Sequence, residues 1–331
     1  MPENKLPKEF INSAQKCGIN AILTQDTNIP RLYVESNKVI SVQKIPGLKI
    51  STESFKEGAN SVRKQKAAFS NGVKIKMVVK KGVSIKKPIF LCFGVLGEKG
   101  KQIILPEIVL EEKAEAKIFA HCTFPQAKKV SHQMEAKIKL KKNARLAYQE
   151  KHYHGENFGA EVLPNFKVSI GPEAIFENEF ILNQGSVGKL KIVLEAELKE
   201  SAFCKIVNKV IGNGKRDNVE IYDKILLSGK DSRSLNKLRG VAVSGGKMFF
   251  RGETEAGIKA KNARGHIDCQ EIVVGNSTAQ SIPVVTVKNP EARITHEASV
   301  GKVNQKELET LMTRGLSESQ AIDFIIRGRF E

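Results

Sequence analysis

Apolar and polar residues alternate along much of the chain, in runs such as Val73-Lys-Ile-Lys-Met77 and Ala136-Lys-Ile-Lys-Leu140. A period of two is typical of a β-strand that buries one face and exposes the other. Shorter runs at 31–34 and 39–42 have the same character, and strand patterns dominate from about residue 106 to 300. The chain is therefore predicted to be mainly β.

A loose repeat runs through the strand-rich region, in which a strand, a polar turn, a small residue and the next strand follow one another. The small residues recur every 28–30 positions: Ala116, Ala144, Ala174 and Ala202. The turns at 261–264 and 290–293 lie 29 positions apart. Such a period, without helices between strands, predicts a right-handed parallel β-helix with a continuous core. The alternative is an antiparallel sandwich with hairpins about every 8–12 residues.

Helical patterns occur near both ends. Residues 4–18 carry apolar residues at helical spacing, which predicts an amphipathic helix, and the polar stretch 51–70 is predicted to be partly helical or mobile. Near the other end, Asn304-x-x-Glu307 and Ser317-x-x-Gln320 resemble capping boxes, and Gly315 separates them. These patterns predict two short helices in the tail.

The predicted organisation has three parts. A small N-terminal α/β region covers residues 1–105, a β-helix core covers 106–302, and a helical tail covers 303–331. The apolar faces of the tail helices are explained equally well by packing on the last β-coil and by docking of a partner, because amphipathicity alone does not separate the two.

The composition of the chain indicates in which cellular environment the protein is expected. The longest apolar run, 88–96, is shorter than the roughly 20 residues that a membrane-spanning helix needs. The first residues have no apolar signal core, so a cytoplasmic location is expected. Five scattered cysteines without a CxxC pair argue against a disulfide framework or a four-cysteine zinc site.

The formal net charge of +18 raises nucleic-acid binding as an alternative function. However, many lysines alternate with apolar residues as the solvated face of a strand does. Aromatic residues make up only 6% of the chain and tryptophan is absent, so a base-stacking platform is poorly supplied. Nucleic acid is therefore not the expected partner.

A first candidate site lies near the C-terminus. Aligning the turns at 261–264 and 290–293 places Asp268 beside Glu297. By alternation, Cys269 and His296 then share the opposite strand face from that carboxylate pair. Thiolate, imidazole and carboxylate suit iron, although a polar rung with a buried cysteine explains the same residues.

A second candidate site combines Cys122 with residues of the segment 149–155. Counting from the repeat alanines puts Cys122 level with Glu150, and His152 lies two residues further on the same face. His154 follows on that face. These residue types suit a metal or sulfur-relay site, whereas the alternative is a strand end with solvated histidines.

No catalytic motif accompanies these groups. The sequence has no GxxxxGK[ST], GxSxG or HExxH pattern, and its glycine pairs are typical of turns. An enzyme is not expected. A β-helix polysaccharide lyase is a further alternative, but it would need charged residues clustered along one groove.

The segment 294–330 contains His296-Glu297 at the close of the strand-rich region, then two short helices separated by Arg314-Gly315. It resembles the C-terminus of the SufB/SufD family, the scaffold proteins of iron–sulfur cluster assembly. The resemblance implies a β-helix scaffold that holds a transient [4Fe–4S] cluster.

In that family the nascent cluster is placed between two subunits, with a Cys, a Glu and a His. The resemblance maps the His and Glu onto His296 and Glu297, so one chain would supply both sides of a homodimer. The usual cysteine stretch corresponds to residues 275–283, which contain no Cys. Cys269 is then the thiol nearest the motif. The resemblance also implies a sulfur-relay role for Cys122 and Cys204.

The resemblance implies partners as well. The homodimer would form through the end of the β-helix, a sulfur donor and apo-protein acceptors would visit it, and no membrane is involved. An ABC-type ATPase of the SufC kind would dock on the tail helices and alone bind ATP. The predicted docking residues are Leu308, Leu311, Met312, Arg314, Ile322, Ile325 and Ile326.

Overall fold

The computed structural model describes residues 7–17, 29–55, 71–157 and 159–328, and all structural statements below concern these ranges. The first strands are β1 (Arg31–Glu35), β2 (Lys38–Gln43), β3 (Leu48–Phe55), β4 (Gly72–Val79), β5 (Ile89–Gly94), β6 (Lys99–Leu110), β7 (Glu115–Phe124), β8 (Lys129–Leu140) and β9 (Arg145–His154). They are followed by β10 (Ala160–Ile170), β11 (Ile175–Leu182), β12 (Gly188–Leu198), β13 (Phe203–Asn213) and β14 (Asn218–Leu227). The last are β15 (Arg233–Val243), β16 (Lys247–Ala256), β17 (Arg264–Val273), β18 (Thr278–Val287) and β19 (Arg293–Gly301). The helices are α1 (Lys8–Lys16), α2 (Gln305–Thr313) and α3 (Glu318–Gly328).

The strands form two long sheets that face each other. From β5 onward, odd-numbered strands stack in parallel in one sheet and even-numbered strands stack in the other. Each coil contributes one strand to each sheet, and paired residues in successive coils lie 28–31 positions apart, as in Ile175↔Phe203 and Arg233↔Arg264. The prediction of a mainly β parallel β-helix with a helical tail is confirmed, with about eight turns, and the antiparallel sandwich is wrong.

The repeat originates in the turns that precede the odd-numbered strands from β7 to β17. Residues with left-handed backbone, φ between 53° and 58°, recur there: Lys113, Asn143, Glu173, Ser201, Asp231 and Asn262. The next residue is small and buried in the corner of the coil, namely Ala114, Ala144, Ala174, Ala202, Ser232 and Ala263. The predicted series of small residues should therefore begin at Ala114. Ala116 was the wrong member, because it pairs with Leu146 in the next coil.

The core follows from the alternation. Along β9 and β10 every second residue is buried, and the inward residues of both sheets form one apolar cluster from Leu32 to Cys269. Because this core is continuous, the predicted boundary at residues 105 and 106 does not separate two cores. It falls inside β6, and β4 and β5 already stack on the following coils.

The N-terminal end is closed by two antiparallel pairs, β1 with β2 and β3 with β4. The predicted helix at 4–18 corresponds to α1 in its described part, and it packs through Phe10 and Ala14 on the outer face of the odd-numbered sheet. Of the stretch 51–70, the first five residues belong to β3 rather than to a helix, and 56–70 lie outside the described residues.

The outer faces carry ladders of lysine and glutamate from neighbouring coils. Lys128 Nζ lies 2.6 Å from Glu98 Oε1, and Lys209 Nζ lies 3.1 Å from Glu179 Oε1. Similar pairs recur along both sheets, including Lys189–Glu161 and Lys224–Glu253. Exposed pairs of this kind are worth little individually, but they place much of the positive charge in coil-to-coil contacts.

Candidate metal and cluster sites

A cluster of polar residues occupies the interior of the coils built by β7 and β9. Cys122 of β7 and Glu150 and His152 of β9 all point inward, because they occupy alternate positions of strands whose other residues face out. All three are buried, and their ligand atoms lie within 4.8 Å of one another. Within the described ranges, no other set of three potential metal ligands lies this close together.

Hydrogen bonds join the three side chains in the absence of an ion. The Cys122 thiol donates to Glu150 Oε1 over 3.6 Å, and His152 Nε2 lies 2.6 Å from the same oxygen. The Tyr148 hydroxyl donates to Glu150 Oε2 at 3.1 Å. The carboxyl group is therefore the centre of the cluster, which we call the Cys122 cluster.

Burial disfavours the charged form of each member of this cluster. It raises the pKa of Glu150 and raises the pKa of the Cys122 thiol well above its usual range. Burial also lowers the pKa of His152 to about 3. A neutral thiol and a neutral imidazole thus lie beside the Glu150 carboxyl group in the buried interior, and a neutral thiol is a poor nucleophile.

Two further histidines flank the Cys122 cluster. His154 Nε2 lies 3.4 Å from His152 Nδ1, on the side of the ring that faces away from Glu150. His132 Nδ1 lies 2.8 Å from Gln102 Oε1, and the ring centroids of His132 and His152 are 6.4 Å apart. His154 was predicted as a ligand, but its position supports the His152 ring rather than joining the set of three.

The sequence pattern predicted that Cys122, Glu150 and His152 converge, which the structure confirms, but it aligned the two strands in the wrong register. Cys122 pairs with His152, and Glu150 pairs with Ala120, so the predicted alignment of Cys122 with Glu150 was off by two residues. The alternative of solvated histidines is wrong for this group, because His152 and His154 are both buried.

The C-terminal candidates divide between two faces of the last coil. Cys269 is buried on the inner face of β17, and His296 occupies the same face of β19, where it pairs with Ile267. His296 is exposed, because β19 is the terminal strand of its sheet. Burial raises the pKa of Cys269 to about 12.

Asp268 and Glu297 pair with each other across β17 and β19 on the opposite face, as the alignment predicted. Arg239 donates to both Asp268 oxygens, at 3.0 and 2.7 Å, and Lys237 Nζ lies 3.7 Å away. These contacts, led by the Arg239 hydrogen bonds, lower the pKa of Asp268. Asp268 is thus engaged in an ion pair and does not face Cys269.

Glu271 is a candidate that the sequence reading missed. It lies two residues after Cys269, so it shares the inner face, and it is buried beside the Ser281 hydroxyl. Burial raises its pKa to about 7. Gly240 leaves room for it: a Cβ there would lie 3.1 Å from Glu271 Cγ. Extending the alternation from Cys269 by one step would have found it.

The tail helices pack mainly on each other. Leu308, Ala321 and Ile325 form their shared core, with Leu311 and Ile322 at its margin. Of the predicted docking residues, Leu308, Ile325 and Ile326 are therefore buried and unavailable to a partner, whereas Met312 and Arg314 are exposed. Phe324, which was not predicted, is 63% exposed.

The chain is a β-solenoid with thiol, imidazole and carboxyl groups in its interior and a helical hairpin at one end. The described helices include none with the length and apolar character to span a membrane. Residues 100–329 match the family described as SUF system FeS cluster assembly, SufBD core domain. The chain belongs to the SufBD family.

Similar proteins bear the same family name. An iron–sulfur cluster assembly SufBD family protein of Methanocaldococcus jannaschii is 38% identical over 299 residues, covering 90% of this chain and 89% of that protein. One of Pyrococcus horikoshii is 31% identical over 300 residues, covering 91% and 86%. The iron–sulfur cluster assembly protein SufB of Bacillus subtilis is 28% identical over 257 residues, covering 76% and 54%. Family membership assigns the chain to iron–sulfur cluster assembly.

Proposed function

We propose that the protein is a non-catalytic scaffold on which a transient [4Fe–4S] cluster is built at the C-terminal end of the β-helix. The observation that supports this proposal is that Cys269 and Glu271 lie on the inner face of β17, and that His296 lies on the same face of the exposed last strand. Cys269 and Glu271 are buried, while His296 lies at the accessible edge.

The donor set suits a cluster that is made and passed on. Thiolate is the usual ligand of iron–sulfur clusters, and carboxylate and imidazole complete the coordination with weaker bonds to the cluster irons. A single thiolate per chain leaves the cluster labile, which transfer to an apo-protein requires. In this proposal Glu297 supplies a further carboxylate from the second subunit, since it faces away from Cys269 in its own chain.

The exposed end of the β-helix supports a homodimer. β18 and β19 are the terminal strands of the two sheets, and β19 is exposed along nearly its whole length. Val300, on the inner face of β19, is 47% exposed. Val300→Glu should convert the dimer to a monomer in light scattering, whereas Ile258→Glu, at an apolar turn residue that is 77% exposed, should leave it intact. Equal masses for both variants would contradict this interface.

The tail supports docking of a SufC-like ATPase, which alone would bind ATP. The two tail helices bury most of their apolar residues against each other. The surface that contacts the partner is therefore assigned to the exposed residues Met312, Arg314 and Phe324. Phe324→Ser should weaken co-purification of the ATPase while the scaffold stays folded. The sulfur donor and the acceptor proteins are expected to meet the scaffold in the cytoplasm.

Nucleic-acid binding is not favoured as the function. The family match points elsewhere, and many lysines contact glutamates of the neighbouring coil. A nucleic-acid ligand would give an affinity that falls steeply with salt, which a filter-binding titration at several salt concentrations would detect.

The proposal is tested by reconstitution with iron and sulfide without oxygen, followed by iron and acid-labile sulfide analysis and visible absorption. The wild type should gain a cluster and Cys269→Ala should lose it. Cys92→Ala is the matched control, because Cys92 is equally buried but lies at the opposite end of the β-helix. A cluster that persists in Cys269→Ala would exclude this site.

A further inference from the structure

We propose that the Cys122 cluster is a separate, resident metal centre that binds one divalent transition-metal ion, of the Zn²⁺ or Fe²⁺ type, inside the β-helix. Its ligands are Cys122 Sγ, Glu150 Oε1 and His152 Nε2; His132 Nε2 lies outside this close set and would have to move inward to become a fourth ligand. This centre does not depend on the proposed scaffold function, since none of its ligands lies in the C-terminal coil.

The spacing of the donor atoms fits tetrahedral coordination. Metal–sulfur bonds of about 2.3 Å and metal–oxygen or metal–nitrogen bonds of about 2.0 Å place the sulfur and oxygen about 3.5 Å apart. Cys122 Sγ and Glu150 Oε1 are 3.6 Å apart. The distance from His152 Nε2 to Glu150 Oε1 is 2.6 Å because a proton joins them, and it would open by about 0.7 Å around an ion.

One ring nitrogen of His132 provides an independent indication of a bound ion. The amide nitrogen of Gln102 donates to three backbone carbonyls, so the amide is fixed with Oε1 towards His132 Nδ1. Nδ1 therefore carries the proton, and Nε2 presents a lone pair. That nitrogen is fully buried without a hydrogen-bond partner, a costly arrangement that coordination to an ion would remove.

The side chains around the proposed ligands resemble those that hold the ligands of a metal site in place. Tyr148 holds the second carboxyl oxygen of Glu150, and His154 faces His152 Nδ1, so both groups orient a ligand from behind. Phe124 and Phe180 pack against the imidazoles, with ring centroids 4.7–6.2 Å apart. Two anionic ligands, a thiolate and a carboxylate, would neutralise a divalent ion, and the displaced protons would leave to solvent.

The location predicts how the ion enters. All three ligands are buried, and α1 covers the outer face of the same strands, where Ser13 Oγ lies 3.0 Å from His121 Nε2 and Lys151 Nζ donates to the Cys17 carbonyl. An ion held there should be captured during folding and should resist chelators in the native protein.

The test is metal analysis by mass spectrometry of the full chain, unfolded in EDTA and refolded with Zn²⁺, then dialysed against EDTA. The wild type should retain one ion per chain, whereas Cys122→Ser and Glu150→Gln should each retain less than a tenth of that. Refolding with Co²⁺ should give a thiolate-to-cobalt charge-transfer band that Cys122→Ser abolishes. His132→Phe should keep the band but lose the ion to EDTA faster.

Cys204→Ser is the matched control, because Cys204 is an equally buried thiol of the inner face without a neighbouring ligand set of this kind. It should keep both the ion and the band. Zinc stripped from the native wild type by EDTA, or no cobalt–thiolate band after refolding, would overturn the proposal. Cys269→Ala should keep the ion even if it loses the iron–sulfur cluster, so failure of one site is distinguishable from failure of the other.

Discussion

Replacing Glu271 by glutamine should stabilise the protein, and the gain should depend on pH. The carboxyl group is 3% exposed, and burial raises its pKa from an ordinary 4.5 to about 7, although the nearby Ser281 hydroxyl lowers it in part. Each unit of difference between the folded and unfolded pKa is worth about 1.4 kcal/mol. The shift of about 2.5 units therefore corresponds to about 3 kcal/mol.

The sign follows from proton binding. Below pH 4.5 the carboxyl is protonated in both states and costs nothing extra. Between pH 4.5 and 7 the folded state binds more protons than the unfolded state, so the free energy of unfolding falls as pH rises. Above pH 7 the folded protein carries a buried carboxylate, and the full penalty of about 3 kcal/mol is present. The neutral amide of Glu271→Gln removes it.

The assay is urea unfolding of metal-free wild type and Glu271→Gln between pH 5 and 9. The difference in unfolding free energy should be small at pH 5 and should approach about 3 kcal/mol at pH 8. Other titrating groups, such as Asp223, are common to both proteins and cancel. Glu200→Gln, at an exposed turn, is the control and should change the unfolding free energy by less than about 0.5 kcal/mol. A flat curve for Glu271→Gln would refute the reasoning.

Three other substitutions test the packing and the polar contacts. Phe176→Ala, in the centre of the core, should lower the unfolding free energy by about 3–5 kcal/mol, whereas Phe324→Ala, 63% exposed, should change it by less than about 0.5 kcal/mol in the same urea titration. Arg239→Gln should cost about 1–3 kcal/mol because it leaves the buried Asp268 carboxylate without its bidentate donor. The double mutant with Asp268→Asn should recover most of that loss. Asn304→Ala removes the side chain that caps α2 and should cost about 1 kcal/mol locally, seen as faster hydrogen exchange of the first amides of α2.

The architecture was predictable because one physical signal, the alternation of buried and exposed residues, repeats in every coil. The register was not, because Ala114 and Ala116 are both small and both face inward, and only the left-handed backbone at Lys113 identifies the first as the corner residue. The sequence does not reveal this conformation, because the left-handed position of the repeat is occupied by Lys, Asn, Glu, Ser or Asp and not by one characteristic residue type. The error of two residues preserved the face and therefore preserved the Cys122 cluster.

The candidate site was predictable only in part. Residue type pointed to Cys269 and His296, but the burial of Glu271 depends on Gly240, which lies in a neighbouring strand. Similarly, the apolar faces of α2 and α3 predicted contact with something, yet periodicity does not say whether the other helix or a partner covers them. In the structure the helices cover each other.

The stacking of the coils also fixes the distance between residues that lie in different coils. Cys122 lies on β7 and Cys269 on β17, which are separated in their sheet by β9, β11, β13 and β15. Five steps of about 4.8 Å place these strands about 24 Å apart along the axis. That separation can change only by whole coils, so an insertion or deletion of a complete repeat would move the two thiols by one fixed increment. Point substitutions alter the chemistry at either position but leave the interval between them unchanged.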